Sequence, residues 1–307
     1  MSVLLVREGP TGVGKTEVTL RLAEHLGCPI VNADSRQIYR ELPIGTAAPT
    51  KEQQERVRHY FVGTHTLSDN YNAGLYEADV ISLLSELFKT HKVVVLSGGS
   101  MLYVNAVCNG LDRLPTIKAQ TREQVQSMLQ TKGLKHLQDM LLELDPDYYH
   151  IVDLNNPQRV CHALEVCLES GQQYSSLRTQ SRKERPFNIL RVALNRDREE
   201  LYSRINQRVD HMIGQGLLEE AERVLAPYDD LSQLPNSLNT VGYRELMQVK
   251  TGRWTTPQAI EMIKQNSRRY AKRQLTWLRA QKDIHWININ DYETEDSLLN
   301  AIYALLP

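Results

Sequence analysis

Short apolar runs alternate with helical periodicity over the first third of the chain. The runs at 3–6, 28–33 and 92–97 are typical of buried strands. After Thr16 and again after Leu75, apolar residues recur at spacings of three and four, which favours amphipathic helices. A helix between two such strands joins them in parallel. The pattern predicts an α/β fold with a parallel sheet flanked by helices, and long loops over residues 40–75.

A second pattern fills the middle of the chain. Between residues 113 and 185 the helical periodicity continues without a strand-like run. Within it, Asn156 followed by Pro157 is a strong helix start, because the amide caps backbone N–H groups and proline suits the first turn. We therefore predict an all-helical insertion domain of residues 113–185 in a core domain made of residues 1–112 and 186–307.

After the insertion the strand pattern returns at 187–194 and at 285–289, and a helix at 298–306 closes the chain. The helix that follows the first of these strands carries Arg204 and Arg208 one turn apart, on a face that differs from its apolar stripe. Arg208 is either an ordinary surface arginine or a cation aimed at a ligand, and the pattern leaves both interpretations open.

A glycine-rich turn joins the first predicted strand to the first predicted helix. It matches G-x-x-x-x-G-K-[ST] in a strand–loop–helix context, although charged Arg7 and Glu8 stand where the strand end is usually apolar. Glycines let backbone N–H groups surround an anion, and a helix N-terminus and a lysine add positive charge. We predict a P-loop NTPase-like core with a polyphosphate site, in which Thr16 holds Mg²⁺. The site consists of Gly9, Pro10, Thr11, Gly12, Val13, Gly14, Lys15 and Thr16.

Two further polar segments follow predicted strands directly. Asp34 follows the second strand and Ser100 closes a Gly-Gly-Ser turn after the third. The carboxyl ends of parallel strands lie along one edge of a sheet, so both segments should meet the glycine-rich turn there. Asp34 is either a helix N-cap or a general base. The third strand lacks the terminal acid that phosphoryl transfer usually requires beside a P-loop, which counts against a phosphotransferase.

Composition limits the remaining possibilities. The chain has 307 residues and a net charge of −1, so nucleic-acid binding would need a local basic patch. Such a patch exists: residues 262–282 hold seven lysines and arginines and no acid, with Tyr270 and Trp277 interleaved. This segment is either a solvated helix face or an RNA-binding surface, and Trp277 is equally compatible with the core. The four cysteines form no C-x-x-C pair and no membrane-spanning run appears, which predicts a cytosolic protein with reduced thiols.

Several motifs together resemble the bacterial tRNA dimethylallyltransferases, which prenylate an adenine beside the anticodon. The resemblance spans nearly the whole chain and is carried by 9–16, 32–39, 44–47, 98–103, 156–159, 204–209, 241–244 and 271–279. Asp-Ser-x-x-Ile-Tyr at 34–39 and Lys-Arg-Gln-x-Thr-Trp at 272–277 are the most specific of them.

The resemblance implies that the glycine-rich turn holds the diphosphate of dimethylallyl diphosphate with Mg²⁺. It implies transfer of the dimethylallyl group to N6 of adenosine, with Asp34 as general base and Ser100 and Arg208 as further catalytic residues. The implied partner is the anticodon stem-loop of tRNA, gripped by the insertion and the basic segment. We expect a cytoplasmic monomer without a membrane partner.

The implied tRNA contacts come from four segments and two single residues. Ser100 stands where the family more often has Thr, and His162 and Asn239 stand where many relatives have Arg. The contacts are Asp34, Ser35, Arg36, Gln37, Ser100, Arg122, Gln158, Arg159, Val160, Cys161, His162, Asn239, Thr240, Val241, Gly242, Tyr243, Arg244, Lys272, Arg273, Gln274, Leu275, Thr276, Trp277, Leu278 and Arg279.

Two other functions remain compatible with the residues. A small-molecule kinase would place ATP in the P-loop and use Asp34 to activate a hydroxyl. A non-catalytic RNA-binding P-loop protein would keep the basic segment and carry out no chemistry.

Overall fold

The computed structural model describes residues 2–112, 114–179 and 182–307. Its centre is a six-stranded sheet in which every neighbouring pair of strands is parallel. The strands are β1 Val3–Glu8, β2 Ile30–Asn32, β3 His59–Tyr60, β4 Val93–Ser97, β5 Asn188–Asn195 and β6 Ile284–Asn288. Their order across the sheet is β3-β2-β4-β1-β5-β6, so β1 lies centrally and is completely buried. The predicted α/β class with a parallel sheet is confirmed.

Helices, together with turns and loops, connect the strands. Short single-turn 3₁₀ segments occur at Leu231–Gln233 and Ile289–Asp291. The helices are α1 Lys15–Leu26, α2 Lys51–Arg56, α3 Ala73–Leu87, α4 Met101–Asn109, α5 Ala119–Leu144, α6 Pro146–Tyr149, α7 Pro157–Ser170, α8 Tyr174–Leu177, α9 Arg198–Gly214, α10 Leu217–Leu225, α11 Tyr243–Lys250, α12 Thr256–Arg279 and α13 Glu295–Tyr303.

The chain forms two compact units, of residues 1–108 with 185–307 and of residues 109–184. The first contains the sheet, and its core packs Leu5 of β1, Leu20 of α1 and Ile205 of α9 together. The second is helical and has a core of its own around Leu137 and Leu164. Position 113, at which the sequence predicts the insertion to begin, lies outside the described residues.

Local sequence signals explain where several helices begin and end. Asn156 caps α7 by accepting the backbone N–H of Arg159, with Pro157 in the first turn, and Gly171 ends the helix in the left-handed region at φ 67°. Helix α5 is interrupted at Gly133, whose φ of 79° and ψ of 171° are not helical. These signals act within a few residues, which is why the sequence pattern locates them.

Several elements differ from the sequence-based expectation. Residues 40–75 were expected to be loops but include α2 and the edge strand β3, which is too short for a periodic pattern to identify. The closing helix α13 begins earlier than expected because Thr294 caps it by accepting from Ser297. The four-residue helix α8 was not predicted.

The charged end of β1 is explained by a partner on β5. Arg191, which is 1% exposed, donates to both carboxylate oxygens of Glu8 at 2.9 and 3.0 Å and to Asp283 at 3.1 Å. Arg7 donates from Nη1 to the Val192 carbonyl at 3.2 Å, and burial lowers its pKa to about 9. A bidentate pair of this kind satisfies a carboxylate that could not otherwise be buried beside the glycine-rich turn.

Candidate active site

A cleft of about 1850 Å³ opens at the carboxyl edge of the sheet, within the first unit. The turn between β1 and α1 lines one side of it. In that turn Gly12 has a φ of 80°, and a Cβ there would lie 2.7 Å from Cγ1 of Ile205 on α9. Glycine is therefore required both for backbone conformation and for the close approach of α9. Thr16 lines the cleft from the first turn of α1.

Lys15 lies inside the turn rather than outside it. Its Nζ donates to the carbonyl oxygens of Gly9 and Pro10, each at 2.8 Å. Burial of the ammonium group, together with the positive charge of Arg208, lowers the pKa of Lys15 to about 7. The negative charges of Asp34 and Glu8 oppose this shift without cancelling it. An anionic ligand in the turn would favour the charged form of the lysine.

Arg208 connects the turn with a loop on the opposite wall. Its Nη1 donates to the hydroxyl of Thr11 at 2.7 Å, and its Nη2 donates to the carbonyl of Thr46 at 3.3 Å. Burial lowers the pKa of Arg208, and the negative charge of Asp34 opposes that shift. Of the two interpretations of Arg208, the structure therefore supports a cation aimed into the cleft.

Two further arginines reach the turn, and the sequence did not single them out as site residues. Arg204, one turn before Arg208, donates from Nε to the Gly12 carbonyl at 3.0 Å. Arg196 donates to the Val13 carbonyl at 3.3 Å and pairs with Glu200. Their spacing before and within α9 gave only a weak signal, because a charged residue on a helix is usually solvated.

Asp34 lies on the other side of the same cleft, two residues after β2. Its Oδ1 accepts the backbone N–H of Arg36 at 2.9 Å, which forms a local turn rather than the start of a helix. The helix N-cap interpretation of Asp34 is therefore wrong. The carboxylate is close enough to Lys15 and Arg208 to act electrostatically on both.

Ser100 supports the segment that contains Asp34. Its hydroxyl accepts the backbone N–H of Ser35 at 2.8 Å and donates to the Ser35 hydroxyl at 2.9 Å. The preceding Gly98 touches the backbone of Ala33, and a Cβ at Gly98 would overlap the Ala33 carbonyl group. The two segments predicted to meet at this edge of the sheet are therefore in direct contact.

A buried carboxylate that the sequence did not indicate holds the opposite loop. Glu220 on α10 is 1% exposed and accepts the backbone N–H groups of Ile44 and Gly45 at 2.9 and 2.7 Å. The Tyr243 hydroxyl also donates to it, at 2.6 Å, and the pKa of Tyr243 is raised by burial and by this carboxylate. Glu220 thereby holds the loop in which the Thr46 carbonyl accepts a hydrogen bond from Arg208.

Within this unit, the residues implied to contact tRNA line the cleft, lie on α12, or do both. Those with residues lining the cleft are 34–37, Ser100, 239–242, Arg244, Arg273 and Gln274. On α12, Lys272, Arg273, Thr276 and Arg279 are exposed, while Leu275 and Trp277 are half-buried. The side chains of Tyr243, Gln274 and Leu278 are buried, so RNA would reach those positions only through neighbouring groups.

The residues implied to contact tRNA in the second unit lie on α5 and α7. Arg122, Gln158, Arg159 and His162 are exposed, and the His162 Nδ1 lies 3.9 Å from Glu165. Val160 and Cys161 face the helical core and are buried. All four cysteines of the chain are free and buried, as expected of structural thiols.

Comparisons with known proteins show the family of this chain. Residues 37–281 match the model of the family described as IPP transferase. The chain is 55% identical over 295 residues to tRNA dimethylallyltransferase 1 of Bacteroides thetaiotaomicron, covering 96% of this chain and 94% of that one. The chain belongs to the IPP transferase family.

Two solved structures share the fold of this chain. The full-length tRNA isopentenylpyrophosphate transferase of Bacillus halodurans is 31% identical, with a TM-score of 0.71 over 99% of this chain and 96% of that one. A eukaryotic dimethylallyltransferase acting on tRNA superimposes with a TM-score of 0.82 at 22% identity, over 100% of this chain and 81% of that one. The second likeness concerns the fold alone.

Within the described ranges, no helix is both long and apolar enough to cross a bilayer.

Proposed function

We propose that this IPP transferase moves a dimethylallyl group from dimethylallyl diphosphate to N6 of the adenosine adjacent to the anticodon of tRNA. The observation that carries the proposal is the arrangement of one cleft, in which a cation-lined glycine-rich turn faces the carboxylate of Asp34. A site of this kind suits a reaction that releases diphosphate on one side and a proton on the other.

The reaction balances with the groups present. The bond between the allylic carbon and a diphosphate oxygen breaks, and its electron pair leaves with the diphosphate. The lone pair of N6 forms the new C–N bond, and one N6 proton passes to the Asp34 carboxylate. N6 is a weak nucleophile because its lone pair is delocalised into the ring, so a positioned base assists bond formation. Lys15, Arg208 and the N–H groups of the turn stabilise the charge on the leaving diphosphate.

Thr16 is the residue proposed to hold Mg²⁺. Mg²⁺ usually keeps several waters and binds one or two protein oxygens together with substrate phosphates, so a single hydroxyl that lines the cleft beside the turn is suitable. The part of the chain that the structure describes contains no group of three or more His, Cys, Asp or Glu that would hold a metal by itself. When bound, Mg²⁺ would neutralise charge on the diphosphate.

The acceptor is proposed to bind along α12 and at the exposed residues of α7. The adenine must leave its stack to enter a cleft. Lys272, Arg273 and Arg279 are exposed cations without acidic neighbours in sequence, which suits contacts with RNA phosphates. Exposed Gln158 and Arg159 would add contacts from the insertion.

The direct test is transfer of label from dimethylallyl diphosphate to an anticodon stem-loop. A matched stem-loop with inosine at the target position lacks the exocyclic amine and serves as the control. We expect label on the adenosine stem-loop alone, together with one diphosphate released per prenyl group transferred. Equal labelling of both stem-loops would contradict N6 as the acceptor.

The two other functions give different results in the same experiment. A kinase would transfer the γ-phosphate of ATP to a small hydroxyl compound and form no prenylated RNA. A non-catalytic RNA-binding protein would bind the stem-loop and leave both donors intact. Either result would overturn the proposed prenyl transfer.

A further inference from the structure

One polar side chain stands within the buried stripe of α12. The stripe comprises Ala259, Ile263, Ala271 and Leu278, and Gln274 follows Ala271 by three residues and precedes Leu278 by four. Gln274 is only 2% exposed, whereas its neighbours Lys272 and Arg273 are exposed. A buried amide is retained in a protein interior where its polar atoms have partners, so the partners of Gln274 indicate what it does.

The amide of Gln274 bridges two segments of the active site. Its Oε1 accepts the backbone N–H of Thr11 at 2.8 Å, and its Nε2 donates to the carbonyl of Gly99 at 2.9 Å. The opposite amide orientation would place donor against donor and acceptor against acceptor. The site therefore requires one donor and one acceptor on the same planar group, a combination that glutamine supplies and that glutamate and methionine lack.

Both segments that Gln274 joins are parts of the reacting geometry. Thr11 belongs to the glycine-rich turn, and its hydroxyl accepts a hydrogen bond from Arg208. Gly99 lies between Gln274 and Asp34, since a Cβ at Gly99 would be 3.2 Å from Gln274 Nε2 and 3.1 Å from Asp34 Oδ2. The Tyr270 hydroxyl, one turn earlier on α12, donates to the same Gly99 carbonyl at 2.9 Å.

We propose that Gln274 is a positioning residue that sets the distance between the diphosphate turn and the loop beside Asp34, rather than a contact to the RNA. The proposal rests on the proposed prenyl transfer for its kinetic readout. Helix α12 would then have two roles. Its exposed side carries the cations proposed to face RNA, and on its buried side Gln274 holds the two halves of the active site together.

Positioning and RNA contact predict opposite kinetics. Misplacement of reacting groups by about 1 Å lowers the rate of reaction by ~10²-fold. We therefore expect Gln274→Met to reduce kcat by about 10- to 100-fold at saturating substrates, with the Kd for the stem-loop within about twofold of wild type. Loss of an RNA contact would instead raise that Kd and leave kcat unchanged.

The experiment compares Gln274→Met, Gln274→Glu and Gln281→Met in the full chain. Gln281 follows the end of the same helix and donates only weakly, at 3.4 Å, to the Trp277 carbonyl, so Gln281→Met makes the same chemical change away from the cleft. Gln274→Glu keeps the acceptor for Thr11 but sets a carboxylate against the Gly99 carbonyl. We expect both Gln274 variants to lose kcat and Gln281→Met to retain it.

A second readout does not depend on catalysis. Hydrogen–deuterium exchange of the peptide 9–14 should be faster in Gln274→Met, because the Thr11 N–H loses its acceptor, and inorganic diphosphate should bind more weakly. Failure of the wild-type protein to transfer a prenyl group would overturn the proposed function alone. The exchange and diphosphate measurements would then still test the positioning role of Gln274. Unchanged exchange at 9–14, or an RNA Kd that changes more than kcat does, would overturn the positioning role.

Discussion

The two walls of the cleft differ in how their charge is held. The wall formed by the glycine-rich turn carries four cations, and each of them donates to a backbone carbonyl of the turn or of the facing loop: Lys15, Arg196, Arg204 and Arg208. The facing wall carries the carboxylate of Asp34, which accepts the Arg36 N–H, and the Ser100 hydroxyl bonds to the neighbouring Ser35. In the proposed prenyl transfer, the cations of one wall would bind the diphosphate, and Asp34 on the other would accept the proton.

This difference has an energetic consequence. Burial lowers the pKa of both Lys15 and Arg208, and repulsion by the Arg208 charge lowers the pKa of Lys15 further. A diphosphate would relieve that repulsion, whereas the Asp34 carboxylate on its own wall relieves it only in part. The protein is therefore prepared for an anion before the anion binds, as expected of a preorganised site.

The largest effect should come from removing the negative charge of Asp34. Asp34→Asn keeps an acceptor for the Arg36 N–H but removes the base, and we expect kcat to fall by ~10²–10⁴-fold. Inorganic diphosphate should bind as tightly as before or more tightly, because a negative charge facing Lys15 is gone. Steady-state kinetics and calorimetry measure the two quantities.

Asp69→Asn is the matched control, since Asp69 also accepts a backbone N–H, from Thr66 at 2.7 Å, and does not line the cleft. A loss of kcat in Asp34→Asn no larger than in this control would exclude Asp34 as the base.

The next largest effect should come from replacing Arg208, one of the four cations on the wall formed by the glycine-rich turn. Arg208→Met removes the hydrogen bonds to Thr11 and Thr46 together with the charge, and we expect kcat to fall by ~10²–10³-fold with weaker binding of diphosphate. Arg198→Met, in the first turn of the same helix, is the control, because that guanidinium lies over Tyr202 outside the cleft. Equal losses in the two variants would show that stability of the helix, rather than charge at the turn, is responsible.

A smaller effect is expected from titration of Lys15. Its pKa of about 7 in the free protein means that the charged form is lost as pH rises through 7, while a bound diphosphate favours that form. Affinity for diphosphate should therefore decline by up to about tenfold per pH unit above 7, relative to Lys15→Arg, which stays charged. Calorimetry of both proteins from about pH 6.5 to about pH 8.5 measures the difference. Parallel profiles would contradict a lowered pKa at Lys15.

The smallest effect should come from Ser100. Ser100→Ala leaves the Ser35 N–H without its acceptor, a loss of about 1 kcal/mol that corresponds to roughly fivefold in kcat if it is expressed fully in the transition state. Ser100→Thr keeps the hydroxyl and should restore activity. Loss of activity in both variants would indicate that space, rather than the hydroxyl, matters at this position.

The sequence determined the parts of this protein that depend on neighbouring residues. The glycine-rich turn needs specific residues within eight consecutive positions, and apolar runs of buried strands need no distant partner to be recognised. Once the strands were known to be parallel, Asp34 and Ser100 had to lie at the same edge as the turn. The α/β class and the meeting of these three segments followed.

Only the tertiary structure decided the parts that depend on residues far apart in the chain. Gln274 meets Thr11 across 263 positions, Glu220 meets Ile44 across 176, and Glu8 meets Arg191 across 183. A buried glutamine or glutamate on a helix looks the same in sequence as a solvated one, because its environment is created by chain packing. For the same physical reason, only the packing of α9 against the glycine-rich turn places Arg196 and Arg204 beside it.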